Sequence, residues 1–200
     1  MISRPLAYVL AIAFLSASCG IAHAQHVGHE AHVHVPDIGG IRIVGAGSGH
    51  RSVTFDYADD GTEYLRAVER GVVEPTHVHR FEDVQVRVNR QGRWSIHVVA
   101  TAFASTATGP SPSIAIERVE VHRGVSSGLV QDAIVGSGAS AGILDAWNLS
   151  TESQRIAFRT GSTGGWRSLG FSGRDYRLVL DGTEAPGDHV AMVTYTLTFP

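Results

Sequence analysis

Apolar and polar positions alternate along most of the chain beyond residue 50, and helical spacing is weak. Arg51 to Tyr57 places Val53, Phe55 and Tyr57 on one face. Val84, Val86 and Val88 alternate with Gln85, Arg87 and Asn89. Trp94, Ile96, Val98 and Ala100 share a face, as do Ile114 and Ile116, with Val119 or Val121 joining after a change of register. Arg155 to Arg159 and Arg174 to Leu180 follow, the second pointing Tyr176, Leu178 and Leu180 one way. The last run, from about His189 to Phe199, sets Ala191, Val193, Tyr195, Leu197 and Phe199 against Met192, Thr194, Thr196 and Thr198. A period of two with β-branched and aromatic enrichment predicts strands. Turn residues separate the runs, at Asp59-Asp60-Gly61, Arg90-Gln91-Gly92, Gly109 to Pro112, Gly161 to Gly165, Asp181-Gly182 and Pro186-Gly187. Glu63 to Arg70 and Leu129 to Val135 could each form a short helix or a strand, and Gly136 to Gly142 reads as a loop of small residues. The pattern predicts an all-β, antiparallel β-sandwich of immunoglobulin-like type over residues 37–200, with at most one or two short helices.

The amino-terminal part reads differently. Arg4 precedes an apolar stretch from Leu6 to Leu15, and Ala22-His23-Ala24 has small residues at cleavage spacing. Residues 1–24 are therefore expected to be a secretory signal peptide cut before Gln25. The stretch is short for a bilayer span. Cys19, the single cysteine, would leave with it, because Leu15 stands one position too early for lipidation at that cysteine. The mature chain would then have neither disulfide nor thiolate, and it would need a real hydrophobic core. Residues 25–36 form a histidine-rich arm that Pro36-Asp37 and Gly39-Gly40 close.

Composition narrows the chemistry. The chain has 200 residues, 43% hydrophobic and 18% charged, which suits a folded domain. All 16 basic residues are arginine, so lysine-based covalent catalysis is excluded. A net charge of −3 with scattered arginines gives no nucleic-acid footprint. Gly124-Val125-Ser126-Ser127-Gly128 matches the G-x-S-x-G elbow, but the chain lacks the alternating strands and helices which that chemistry uses, so Ser126 is read as a loop serine. Gly45 to Gly49 has no helix after it and is not read as a phosphate loop. Trp94 and Trp166 are read as core or edge aromatics. No pair of carboxylates has a spacing that singles out a glycosidase.

Histidine is the unusual excess, at 11 residues. His26, His29, His32 and His34 crowd the arm together with Glu30, and neutral imidazole ligates zinc or copper well. His77 and His79 repeat the spacing of His32 and His34 and form a weaker candidate pair, with Glu74 nearby. The competing reading is a solvated, flexible terminal arm whose histidines bind metals only adventitiously and, for His77 and His79, residues at the start of a strand.

Two blocks resemble the WxL domain of bacterial cell-surface proteins. Asp83 to Phe103 is similar to that family's strand, Arg/Gly-containing turn and Trp-x-Leu strand, with Trp94 in place and Ile96 where leucine is usual. His189 to Pro200 is similar to its carboxy-terminal motif: Thr194 and Leu197 agree, while His189, Val193 and Tyr195 stand for tyrosine, leucine and tryptophan. The resemblance implies an all-β domain held non-covalently on the cell wall, with Trp94, Ile96, Tyr195 and Leu197 as motif or core positions. The histidine arm and the lack of lysine are not features it would imply.

Together these readings predict a secreted, non-enzymatic surface protein, wall-associated, adhesive or structural, with no membrane span after cleavage. In a cell with an outer membrane it would be periplasmic. Its expected partners are a cell-wall polymer, other surface proteins or further copies of itself. The alternative is an extracytoplasmic protein that binds zinc or copper through the arm. A hydrolase using Ser126 ranks last.

Overall fold

The computed structural model describes residues 39–57, 61–105, 114–129, 141–184 and 187–200. The chain divides into two units, 1–35 and 36–200, and every described residue belongs to the second. The expected leader, Cys19, and the arm with His26, His29, His32 and His34 lie outside the described residues. So do residues 130–140, which hold most of the second expected helix and most of the small-residue loop, and the turn at 109–112.

The strands run in chain order as β1 Gly39–Val44 and β2 Ser52–Thr54, then helix α1 Gly61–Arg70, then β3 Val72–Val73, β4 His77–His79, β5 Asp83–Val88, β6 Arg93–Ala100 and β7 Ala104–Ser105. After them come β8 Val119–His122, β9 Ala141–Ile143, β10 Ala146–Asn148, β11 Gln154–Thr160, β12 Arg167–Ser168, β13 Tyr176–Val179, β14 His189–Val190 and β15 Val193–Thr198. They assemble as a three-stranded sheet β1-β5-β12 and two four-stranded sheets, β10-β8-β13-β3 and β15-β6-β11-β9. Two small ribbons, β14-β7 and β2-β4, complete the set. Every strand pairing among the described residues is antiparallel. Among the described residues the architecture is a sandwich-like all-β fold with one α-helix.

Alternation decides what is buried. Val84, Val86 and Val88 of β5 and Trp94, Ile96, Val98 and Ala100 of β6 are buried, as are Val119 and Val121 of β8. The remaining apolar positions of β15, among them Tyr195 and Leu197, pack half-buried on this core. In β11 the rule breaks locally, because Ile156 and Ala157 are consecutive and both buried. The register shifts at that point, with Arg155 opposite His97 but Ala157 opposite Ile96. A β-bulge inserts the extra residue and lets two neighbours face inward.

Phe171 joins the layers. Its ring centre lies 5.0 Å from that of Trp147, 5.7 Å from Tyr195 and 6.5 Å from Phe81, within the range of favourable aromatic pairs. The Tyr176 and Tyr195 hydroxyls meet at 2.5 Å, tying β13 to β15. Burial raises both phenols, Tyr176 to about 12 and Tyr195 upward, with the facing Tyr176 adding to the second shift.

Helix α1 resolves the choice at Glu63–Arg70. It buries Ala67 and ends at Gly71, whose φ of 72° suits glycine and whose N–H donates to the Ala67 carbonyl. Its Tyr64 hydroxyl donates to Glu184 at 2.5 Å, and Arg118 forks onto Glu184 and Asp181. The helix is thereby clamped to the start of β8 and to the loop after β13.

Three expectations need correction. Ile116 is not in a strand: Ile116–Arg118 form a 3₁₀ turn that supplies the change of register, and β8 begins at Val119. Gly39-Gly40 does not close the arm as a turn but opens β1, and its lack of side chains admits neighbouring rings. A Cβ on Gly39 would fall 2.2 Å from Phe199, and one on Gly40 would fall 3.1 Å from Trp166. The closing run is two strands, not one. His189–Val190 pairs with β7 and Val193–Thr198 with β6, and between them Thr101 and Met192 exchange hydrogen bonds.

Candidate functional site

The outer face of β1-β5-β12 carries polar residues because the inner face takes the valines. Period two sends Gly40 and Arg42 of β1, and Asp83, Gln85 and Arg87 of β5, to the side opposite Val84 and Val86. Pairing then sets Arg42 across from Gln85 and Gly40 across from Arg87, with Ser168 on the other side of Gln85. Trp166, just before β12, reaches across this face to Gly40.

One hydrogen-bonded relay runs through these side chains. Ser168 Oγ donates to Asp83 Oδ1 at 2.7 Å, and Gln85 Nε2 donates to Oδ2 at 3.0 Å. Arg42 donates from Nε and Nη2 to Gln85 Oε1 at 3.1 and 2.8 Å. Gln85 thus accepts on one side and donates on the other, which fixes its amide. The guanidinium that it holds lies 4.2 Å from the centre of the Trp166 ring, a cation–π distance. Burial pushes the Asp83 carboxyl upward, while hydrogen bonds from Ser168, Gln85 and the Val84 N–H and the charge of Arg42 act against that rise. Both oxygens of Asp83 are engaged by donors, so it serves as an anchor rather than as a poised base.

Trp166 stays 37% exposed, whereas Trp94 and Trp147 are 1% and 3% exposed. At the same end of β1, Phe199 covers Gly39 and carries the Arg90 guanidinium 5.5 Å above its ring. The start of β1 is therefore flanked by two half-exposed aromatic rings, each stacked with an arginine. Flat rings with fixed cations and amides can hold sugar rings by stacking and hydrogen bonding.

The residues singled out from sequence fall elsewhere. Trp94 and Ile96 lie in the core, and Trp94 Nε1 donates to the Gly161 carbonyl at 2.9 Å. Tyr195 and Leu197 pack on that core from β15. None of the four lies on the face that Trp166 occupies. His77 and His79 are exposed on one face of β4, opposite Thr54 and Ser52. Among the described residues no group of three or more His, Cys, Asp or Glu is placed to hold a metal. Ser126 sits in the loop from Gly124 to Gly128 and accepts from Arg177 Nη2 at 2.6 Å, and among the described residues no histidine bonds to it. A serine–histidine contact occurs elsewhere, with Ser95 Oγ 3.1 Å from His97 Nε2. The other ring nitrogen of His97 faces the Ser153 hydroxyl at 3.5 Å, so among the described residues both ring nitrogens meet hydroxyls, where a triad would set a carboxylate against one of them.

Sequence reasoning missed Arg42, Asp83, Gln85 and Ser168 as a group. A signal was present: Leu169 and Phe171 share one parity, and Trp166 and Ser168 share the other, the polar one. Comparison with protein-family models, with curated proteins and with solved structures finds no match to this chain.

Proposed function

We propose that the protein is a secreted, non-enzymatic surface protein that associates with a cell-wall polymer through the outer face of β1-β5-β12. The observation that carries this reading is Trp166, a half-exposed indole fixed by Arg42 and by the Gln85–Asp83–Ser168 relay behind it. An indole that is partly open to solvent and held by a guanidinium offers a stacking platform for sugars. The order already built into the relay lowers the entropic cost of binding. Hydrolysis is not required of such a face.

The test is sedimentation of the protein with purified wall material, before and after a salt wash. The intact protein should sediment, and Trp166→Ala should remain in the supernatant while keeping its circular dichroism. Emission gives a second readout, since two of the three tryptophans are buried. Wall fragments should shift the exposed component and protect it from acrylamide. Equal sedimentation of both proteins would overturn the assignment of the face, and a freely soluble intact protein would overturn the wall reading.

A further inference from the structure

A second surface feature shares no lining residue with the Trp166 face. A groove of about 430 Å³ opens between the β4–β5 connection, the Gly124–Gly128 loop and the 3₁₀ turn Gly173–Asp175. Val78, Leu129 and the buried Phe81 supply apolar lining, Arg80 and Arg174 supply two cations, and Glu82 is the one carboxylate of the lining.

Arg80 is held in an unusual way. Its φ of 53° makes it the one non-glycine residue with positive φ among the described residues. Such a backbone is uncommon for a long side chain, and strain of this kind collects at functional sites. The Gly45–Gly49 loop is shaped around it. A Cβ on Gly45 would sit 2.1 Å from the Arg80 carbonyl oxygen, and Cβ atoms on Gly47 and Gly49 would come within 3.3 and 2.7 Å of its guanidinium. The glycine-rich stretch is a collar for an arginine.

The other side of the groove is fixed from beneath. Asp175 is fully buried and accepts four hydrogen bonds, from the N–H groups of Ser126, Ser127 and Ser172 and from the Ser172 hydroxyl. Its charge is thus satisfied internally, and it pins the Gly124–Gly128 loop. Arg118 and Arg123 pair with carboxylates, and Arg177 pairs with Glu74. In contrast, the guanidinium groups of Arg80 and Arg174 have no hydrogen-bond or ion-pair partner among the described residues.

We propose that this groove binds a small organic anion, a carboxylate carried on a ring or short chain, such as an acidic sugar. The two guanidinium groups receive the carboxylate, and Val78 and Leu129, both partly exposed, take the apolar side of the ligand body. Arginine is suited to this because its planar fork matches a carboxylate. The volume falls within the range of small-ligand pockets. The inference is independent of the wall-polymer reading, since it uses neither Trp166 nor its relay.

The experiment is an amide NMR titration of the full chain with glucuronate, with glucose and inorganic phosphate in parallel arms. Glucuronate should shift the amides of Ser126, Ser127 and Arg174 saturably, and the affinity should fall as salt rises. Glucose and phosphate should bind at least about tenfold more weakly, the first lacking the charge and the second the body. Arg174→Ala is exposed and should fold, and Arg80→Asn keeps a residue that tolerates positive φ. Each should weaken glucuronate by about tenfold or more, the loss of a charge-assisted hydrogen bond. Absence of a saturable shift, equal binding of glucose or phosphate, or unchanged affinity in both variants would overturn the proposal. The Trp166→Ala protein should bind glucuronate normally, which separates this site from the wall face.

Discussion

Trp94 and Trp166 look alike in sequence. Each follows a glycine turn and stands at the start of a strand, Trp94 second in β6 and Trp166 just before β12, and each has an arginine beside it. Their neighbours two residues on differ: Ile96 follows Trp94, whereas Ser168 follows Trp166. That parity places Trp94 in the core, with its indole N–H bonded to Gly161, and Trp166 on the polar face under Arg42. A tryptophan's surroundings are set by the strand parity it shares and not by its own hydrophobicity. The first ring is closed inside the core, and the second stays partly open to solvent.

The largest expected effect comes from erasing the buried member of the pair. Trp94→Ala should cost about 3–5 kcal/mol in denaturant unfolding. A loss below about 1 kcal/mol would break the contrast. Trp166→Ala should cost about 1–2 kcal/mol, because much of the ring already faces water, yet it should abolish retention on wall material. Smaller still is Gly40→Ala, expected to change stability by less than about 1 kcal/mol. Its Cβ would press the tip of the Trp166 ring at 3.1 Å, so the ring should lift and become easier to quench with acrylamide. Unchanged quenching would mean that the ring is not seated on Gly40.

The finest test uses pH. Asp83 has a folded pKa above its unfolded value, chiefly through burial. The folded state therefore holds its proton longer, and the stability tied to that proton falls as pH rises from the ordinary aspartate value through the raised one. Asp181 and Glu184 have the opposite sign. The hydrogen bond from Thr183 and then that from Arg118 lead in lowering Asp181; for Glu184, burial acts upward but is outweighed by hydrogen bonds from Tyr64 and backbone N–H groups. Their contribution is present above the ordinary carboxylate range and is lost as pH falls. Asp83→Asn should flatten only the upper limb of the stability profile. Flattening of the lower limb instead would mean that the relay behind Trp166 is not what titrates there.

The strand content was legible because alternation was strong wherever one face is buried, as in Val84–Val88 and Trp94–Ala100. Residues with too few positions to show a period were not legible as strands: Val72–Val73, Ala146–Asn148 and Arg167–Ser168 are held by their neighbours' ladders. The bulge at Ile156 reads as a break in the pattern although it completes the core. The candidate face was hidden for another reason. Arg42, Asp83 and Trp166 are distant in sequence, and only the β1-β5-β12 order joins them. The glycines at 45, 47 and 49 likewise gain their meaning from Arg80, a partner that spacing does not reveal.

The bond between Tyr176 and Tyr195 bears on how such a protein could be stripped from a surface. Both phenols ionise later in the folded chain than in the unfolded one, so the stability tied to them is intact below about pH 10, the ordinary tyrosine value, and erodes as alkali drives the unfolded phenols to ionise. On the wall-polymer proposal, alkaline extraction would thus have two regimes. In mild alkali the sheets would stay stitched, and protein released from wall material would still be folded. In stronger alkali the stitch weakens, and release would no longer distinguish detachment from unfolding.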